Sequence, residues 1–310
     1  MESILRDPFF FGEAILNTVH LFIGTWFDVF MVVITYMGDE IFYTLFLPVL
    51  YWCYHKRNTI VIGSVFLISI TLNDMVKEIF QNPRPDPDKL LEGFRALSVK
   101  YRPSDPGFPS GHTQGSVSMW GTIMYLVRNR IILAAGVLMI VLVPYSRMYL
   151  GVHHFGDVIG GYVLGILCLV IIIPCAVLVE KHYGKMREVF VILILLVVPF
   201  ILYNILPGRS IFNYMGVLSG FLAGAYLAKE RIAFFPRNGI LPTAVKLIIG
   251  FAGLFLVKEG VKVLLPATPL AGFMRYWLMG FWITFIAPLI FSKWSFLGGK
   301  ALSGTEQLPD

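Results

Sequence analysis

Residues 158–179 read VIGGYVLGILCLVIIIPCAVLV and hold no charged side chain. A helix needs about 20 apolar residues to cross the hydrocarbon core of a bilayer, so this run is long enough to span one. Working outward in both directions, similar runs predict helices at about 15–36, 40–55, 58–80, 112–127, 130–146, 155–179, 188–206, 211–228, 243–265 and 274–292. The first two are weak as spans, because Asp28 interrupts one and the other is short. Composition agrees with the runs. Charged residues make up 14% of the 310-residue chain, hydrophobic ones 57%, and the mean hydropathy is +0.74. A soluble domain carries roughly 25% charged residues. Too little polar surface remains to cover a globule in water, which excludes a soluble enzyme, a disordered chain, a fibrous repeat and a disulfide-built secreted module. The reading is an all-α membrane protein.

Cys53, Cys168 and Cys175 lie in or beside apolar runs, where cysteine behaves as a small hydrophobe, and no disulfide is expected. The N-terminal residues 1–11 carry Glu2, Arg6 and Asp7 and do not read as a cleavable signal peptide. The net charge of +6 would suggest an acidic partner for a soluble protein; here the distribution of cations matters more. One end of the spans collects Arg6, Lys56, Arg57, Arg128, Arg130, Lys181, Lys185, Arg187, Lys229, Arg231, Arg237, Lys246, Lys293 and Lys300. By the positive-inside rule that end is cytoplasmic. The chemically distinctive segments then face the other way, toward the periplasm or exterior of a plasma or inner membrane, or toward the lumen of the endoplasmic reticulum.

Three polar segments stand out. Asn73, Asp74, Lys77 and Glu78 bunch at the end of the 58–80 helix, with Arg84-Pro85 following. Ionisable residues within membrane spans usually face a polar cavity and serve function, although a lysine at a span end paired with Asp74 one turn away is an equally good reading of Lys77 alone. A proline-rich stretch, 81–109, follows and reads as a long loop, a form that is uncommon unless functional. At its far edge Pro109-Ser110-Gly111-His112 opens the next helix, whose free N–H groups suit an anion; Ser110 could equally be only an N-cap. The third segment is Ser146-Arg147, then His153 and Asp157. That spacing predicts both on one helical face, with the carboxylate fixing the tautomer and leaving the other ring nitrogen as a nucleophile. His20 and His154 have no such partner by spacing and read as interfacial residues. Together the segments describe an anion site with a nucleophile, and no zinc spacing occurs among them.

The pattern K-x6-R-P, P-S-G-H and S-R-x5-H-x3-D, carried by Lys77 to Asp157, resembles the type 2 phosphatidic acid phosphatase family. The resemblance implies a six-helix phosphatase core, residues 1–183; the nearly featureless apolar runs that follow read as an appended bundle of about four extra transmembrane helices over 184–310. That tail looks like the longer sphingosine-phosphate and glucose-6-phosphate phosphatases. It further implies that Lys77, Arg84, Ser110, Gly111 and Arg147 hold phosphate. His153 would attack phosphorus, His112 would protonate the leaving alcohol, and Asp157 would orient His153. No metal and no cofactor are implied. The expected partners are a phosphorylated lipid, monoester or diphosphate, and membrane lipids, not nucleic acid. A soluble ester such as glucose 6-phosphate, or a non-catalytic lipid-binding or transport role, are the alternatives.

Overall fold

The computed structural model describes residues 7–19, 24–183, 188–205, 210–236 and 239–299. His20, and with it Arg6, Lys185, Arg187, Arg237 and Lys300 of the charge reading, lie outside them. The described chain is helical and forms no strand. In order its helices are α1 (Pro8–Phe11), α2 (Ala14–Val19), α3 (Thr25–Tyr36), α4 (Glu40–Cys53), α5 (Lys56–Phe80), α6 (Glu92–Tyr101), α7 (Gly111–Val127), α8 (Arg130–Tyr149), α9 (Phe155–Tyr183), α10 (Glu188–Ile205), α11 (Ile211–Arg231), α12 (Ile240–Leu264) and α13 (Pro269–Phe281). A π-helical turn at Trp282–Ile286 then leads into α14 (Ala287–Ser292).

Among the described residues, six helices are long and apolar enough to cross a membrane, or seven if the bent pair at 26–36 and 40–53 counts as one span. That pair turns by 56°. The expected run at 15–36 is therefore not one helix, since α2 and α3 are separate, and Val189–Ile205 is apolar but shorter than a full span. The lipid-facing signature is plain on α9, where Val163, Ile166, Leu167, Val170 and Ile171 are exposed at helical spacing.

Two compact units form, each from separate stretches of chain. One comprises residues 1–45, 61–185 and 200–214, the other 46–60, 186–199 and 215–310. In the first unit α7 lies between α8 and α9, and its buried residues include Thr113, Gly115, Ser116, Ser118 and Thr122 beside the larger Gln114, Val117, Met119 and Ile123. Hydrocarbon chains are as apolar as leucine, so helices in a bilayer associate through small residues that let backbones approach. Gly161 of α9 shows this directly, since a Cβ there would stand 2.7 Å from the Ser110 carbonyl oxygen. Two of the α7 hydroxyls return to their own helix, Ser118 to the Gln114 carbonyl at 2.8 Å and Thr122 to that of Ser118 at 2.6 Å, while Ser116 crosses to the Met139 carbonyl of α8 at 3.1 Å.

The second unit packs Tyr51 and Trp52 against Phe221, Leu254, Ile283 and Phe291. The Trp52 indole donates to the Ile283 carbonyl at 2.8 Å. Lys246, counted with the cytoplasmic cations on sequence grounds, is wholly buried in this unit. Its ammonium donates to the carbonyls of Trp52, at 3.0 Å, and Pro236, at 2.5 Å.

The stretch 81–109 departs from expectation. Prolines at 83, 85, 87, 103, 106 and 109 leave a proline-free gap, and α6 forms inside it. Phe94 and Ser98 are its buried positions, four residues apart on one face. Phe94 packs with Leu16 and Leu90, and the Ser98 hydroxyl donates to the Gly151 carbonyl at 2.8 Å.

Candidate active site

The site lies at one end of the first unit, where α5 and α8 finish and α7 and α9 begin. Lys77 occupies the last turn of α5 and is buried. Its ammonium is not paired with Asp74, one turn away, but with the carboxylate of Asp105 across the loop. Asp74 instead accepts from the Ser210 backbone N–H at 2.8 Å. Asn73 points its amide at Gln114 Oε1, 2.8 Å, and at the Pro109 carbonyl, 3.3 Å. The polar bunch on α5 thus divides: Asn73 buttresses the Pro109–Ser110 turn, Asp74 holds a distant backbone, and Lys77 alone meets a charge of the site.

Arg84 is buried, and all three nitrogens of its guanidinium are engaged. Nε donates to the Asp105 carbonyl at 2.8 Å and Nη2 to the Asp105 carboxylate at 2.8 Å. Nη1 reaches the Val152 carbonyl at 2.8 Å and His153 Nε2 at 2.9 Å. A guanidinium only donates, so Nε2 of His153 accepts and carries its lone pair toward Arg84. The other ring nitrogen, Nδ1, lies 3.3 Å from Asp157 Oδ2.

Burial, and then the charges of Arg84, Arg147 and Lys77, push the His153 imidazole well below its usual range. The contact with Asp157 is therefore a hydrogen bond from a neutral ring rather than an ion pair. Asp105 is held below the usual carboxylate range: burial opposes its charge, but Lys77 and Arg84 outweigh that.

His153 and Asp157 do not share a helical face, because α9 begins at Phe155 and His153 belongs to the turn before it. The pairing arises because Asp157 folds back over the helix start. Its Oδ2 also accepts from the His154 backbone N–H at 2.8 Å, so one carboxylate oxygen caps α9 and orients the histidine. His154, expected at the interface, is buried, with its ring against Phe11 and its Nδ1 3.7 Å from Asp157 Oδ2.

Ser110 is the N-cap of α7 and is fully buried. Its hydroxyl accepts from the Thr113 N–H at 3.4 Å, and its own N–H donates to the Asp157 carbonyl at 2.9 Å. That last bond ties the second motif to the third. Gly111 follows as the first residue of α7, packed against Asn73 Oδ1. His112 stands in the first turn with Nε2 3.7 Å from Asp39 Oδ2. Arg147, in the last turn of α8, donates through Nη1 to the Thr35 hydroxyl at 2.7 Å, while its buried Nε has no partner among the described residues.

All eight residues singled out in the sequence thus belong to elements that meet at this end of the unit. The arrangement can hold an anion among cations beside the lone pair of a neutral histidine. Sequence reasoning missed Asp105, Asp39 and Thr35. Asp105 had a faint signal, an acid five residues before the Ser110 N-cap inside a proline-rich loop; Thr35 and Asp39 had none, being far from the motifs and ordinary for a helix end.

Residues 57–180 match the family model of the PAP2 superfamily, and residues 212–299 match that of the PAP2 superfamily phosphatase transmembrane extension. Phosphatidylglycerophosphatase B of Bacillus subtilis is 30% identical over 169 residues, which is 50% of this chain and 78% of that protein. Sphingosine-1-phosphate phosphatase 1 of Rattus norvegicus is 26% identical over 306 residues, covering 83% of this chain and 70% of that protein. Undecaprenyl-diphosphatase of Sulfolobus acidocaldarius is 36% identical over 104 residues, 32% of this chain and 46% of that protein. The chain spans between 33% and 42% of the length of the first curated relatives it matches.

Proposed function

Because this chain belongs to the PAP2 superfamily, we propose that it is a multi-pass membrane phosphatase that hydrolyses a lipid phosphate monoester or diphosphate through a phosphohistidine. One observation carries the reading. The guanidinium of Arg84 has one nitrogen on a carboxylate it shares with Lys77 and another on the lone pair of His153. An anion site and a neutral imidazole nitrogen are thereby adjacent. A phosphoryl group taking the place of the Asp105 carboxylate would present its phosphorus to Nε2.

In this reading Lys77, Arg84 and Arg147 neutralise the phosphoryl oxygens, which is where charge concentrates in phosphoryl transfer. The Ser110 turn and the N–H groups of Gly111 and the following residues complete the cradle at the positive end of α7. Nε2 of His153 forms the bond to phosphorus while the bond to the leaving oxygen breaks, and His112 gives that oxygen its proton. Asp157, on Nδ1, steadies the positive charge the ring acquires. Water then attacks the phosphohistidine, losing a proton to His112, and inorganic phosphate leaves with His153 neutral again. No metal takes part in this sequence.

The lipid part of the reading rests on position. The site sits at the ends of membrane-crossing helices, where an amphiphile keeps its chain in the bilayer and offers its head group to the cations. The names of relatives that act on phosphatidylglycerophosphate, sphingosine 1-phosphate and undecaprenyl diphosphate favour the same class. With the cationic span ends cytoplasmic, the site faces the extracytoplasmic side. Residues 1–183 are read as the catalytic core and 184–310 as the appended bundle.

The test is phosphate release by detergent-purified protein in EDTA from phosphatidic acid, sphingosine 1-phosphate, undecaprenyl diphosphate and glucose 6-phosphate. Release from a lipid, lowered about a thousandfold or more in His153→Ala, is the expected result. Turnover retained in that variant would reject the phosphohistidine. Release confined to glucose 6-phosphate would reject the lipid class.

A further inference from the structure

The proton donor of the reaction above has a difficulty. His112 must be protonated to act, yet the charged groups that face it are Arg147 from α8, Lys77 from α5 and Arg84 from the loop, all cations, with the His153 imidazole beside them. Burial first, and then these like charges, disfavour an imidazolium. One carboxylate also faces the ring. Asp39 Oδ2 is 3.7 Å from His112 Nε2, and the ring and carboxylate are both mostly shielded from solvent, at 19% and 33% exposure.

Asp39 sits in the bend between α3 and α4, and two observations bind that bend to the site independently of this contact. Thr35, four residues earlier, receives a hydrogen bond from Arg147 at 2.7 Å. Gly38 packs so closely that a Cβ would collide with Val143 of α8 and stand 3.4 Å from the His112 ring. The other oxygen of Asp39, Oδ1, accepts from the Ile41 N–H at 2.9 Å and so caps α4, which fixes the carboxylate's direction. The bend precedes residue 57 and lies outside the stretch that matches the superfamily model.

We propose that Asp39 is a positioning residue for the general acid, holding the imidazolium of His112 and aiming its proton at the leaving oxygen. The site then has two His–Asp pairs of opposite purpose. Asp157 supports a ring that must be neutral to attack, and Asp39 supports a ring that must be charged to donate. The proposal rests on the phosphatase reading and on His112 as its acid.

The experiment compares Asp39→Asn with the parent enzyme on two phosphate monoesters, one alkyl and one p-nitrophenyl. Asparagine caps a helix as well as aspartate does, so the α4 cap survives while the charge is lost. An alkoxide needs a proton to leave and p-nitrophenolate does not. The readout is kcat/KM, which reports events up to departure of the leaving group, in full-length protein in detergent.

The expected result is a loss of about tenfold to a hundredfold on the alkyl ester and less than about twofold on the aryl ester, since general acids contribute roughly 10²–10⁴. The alkaline limb of the alkyl profile moves to lower pH, and Asp39→Glu recovers part of the rate. An equal loss on both esters, or none on either, would overturn the proposal. His112→Asn run beside it separates the two layers of the argument: if that variant shows the leaving-group dependence and Asp39→Asn does not, Asp39 alone is misassigned. Should His112→Asn leave the alkyl ester untouched, the acid itself is wrong and the role of Asp39 falls with it.

Discussion

Two buried lysines in this chain have opposite surroundings. Lys77, in the first unit, has a carboxylate as its partner, contributed from a loop that is itself partly exposed. Lys246, in the second, is satisfied by two backbone carbonyls and lies 5.3 Å from the centre of the Phe234 ring. A carbonyl of the folded backbone cannot be exchanged for a ligand, whereas a carboxylate held by two cations can be replaced by another anion. Burial of a charge is thus a poor guide to function, and the kind of partner is a better one. The same unit that holds Lys77 leaves a buried Arg147 nitrogen without a partner among the described residues, and such a donor is costly unless something binds it.

The sharpest way to break this comparison pairs Arg84→Lys with Lys246→Met. Lysine keeps the charge of Arg84 but not the fork that reaches Asp105, Val152 and His153 together. A loss of about a hundredfold in kcat/KM is expected, near the effect of removing one oxyanion donor, with the melting temperature little changed. Lys246→Met should do the reverse. It leaves two buried carbonyls short of a donor, a cost of about 1–3 kcal/mol each way it is relieved, and lowers the melting temperature in detergent while kcat/KM stays within about twofold. If Lys246→Met costs as much activity as Arg84→Lys, partner type does not separate the two units.

A smaller effect concerns pH. The His153 imidazole is pushed down by burial and by its cationic neighbours, so it stays neutral below the ordinary histidine value of about 6.5. Protonation removes the lone pair that attacks. The acid limb of kcat/KM, which belongs to the free enzyme, should therefore fall about tenfold per pH unit only at pH values under about 6.5. An acid limb at or above neutrality would mean that His153 is not the group held by these cations. His112 is pushed down too, by burial first and then by Arg147, Lys77 and Arg84, so the alkaline limb on which it loses its proton also starts below the ordinary histidine value, and the bell is displaced toward acid pH.

The smallest predicted effect tests the exchangeable anion itself. Asp105 competes with any phosphate for Lys77 and Arg84, and at 40% side-chain exposure its attraction is screened. Asp105→Asn should tighten inhibition by vanadate about fivefold, the equivalent of about 1 kcal/mol for a partly exposed pair. Weaker inhibition would mean that Asp105 organises the cations instead of occupying them.

Much of this was open to a reader of the sequence. Apolar runs of span length located α5 and the helices from α7 onward, because a helix in lipid satisfies its own backbone and needs only local information to form. The three motifs were legible for a similar reason: each is contained within a dozen residues, and its chemistry is written in residue type. Two of the errors share one cause. Lys77 was offered Asp74 because i,i+3 is the contact a helix makes with itself, and His153 was put on a helical face with Asp157 because i,i+4 is another. Their observed geometry comes from chain that turns: Asp105 returns across a loop, and Asp157 folds over the start of α9. The helix α6 was missed because six prolines drew attention from the gap between them, where Phe94 and Ser98 had tertiary partners to find.

The sequence by itself determined that this chain lives in a bilayer as helices and that a phosphate-type cation set and a histidine pair belong to it. Only the tertiary structure decided which charges meet: Asp105 with Lys77 and Arg84, Asp39 with His112, Ser110 with the backbone of Asp157, and Lys246 with carbonyls instead of solvent. Helix formation in lipid is a local event fixed by composition and length. Pairing between groups distant in sequence, such as Lys77 and Asp105, 28 residues apart, depends on which helix ends the packed unit brings together.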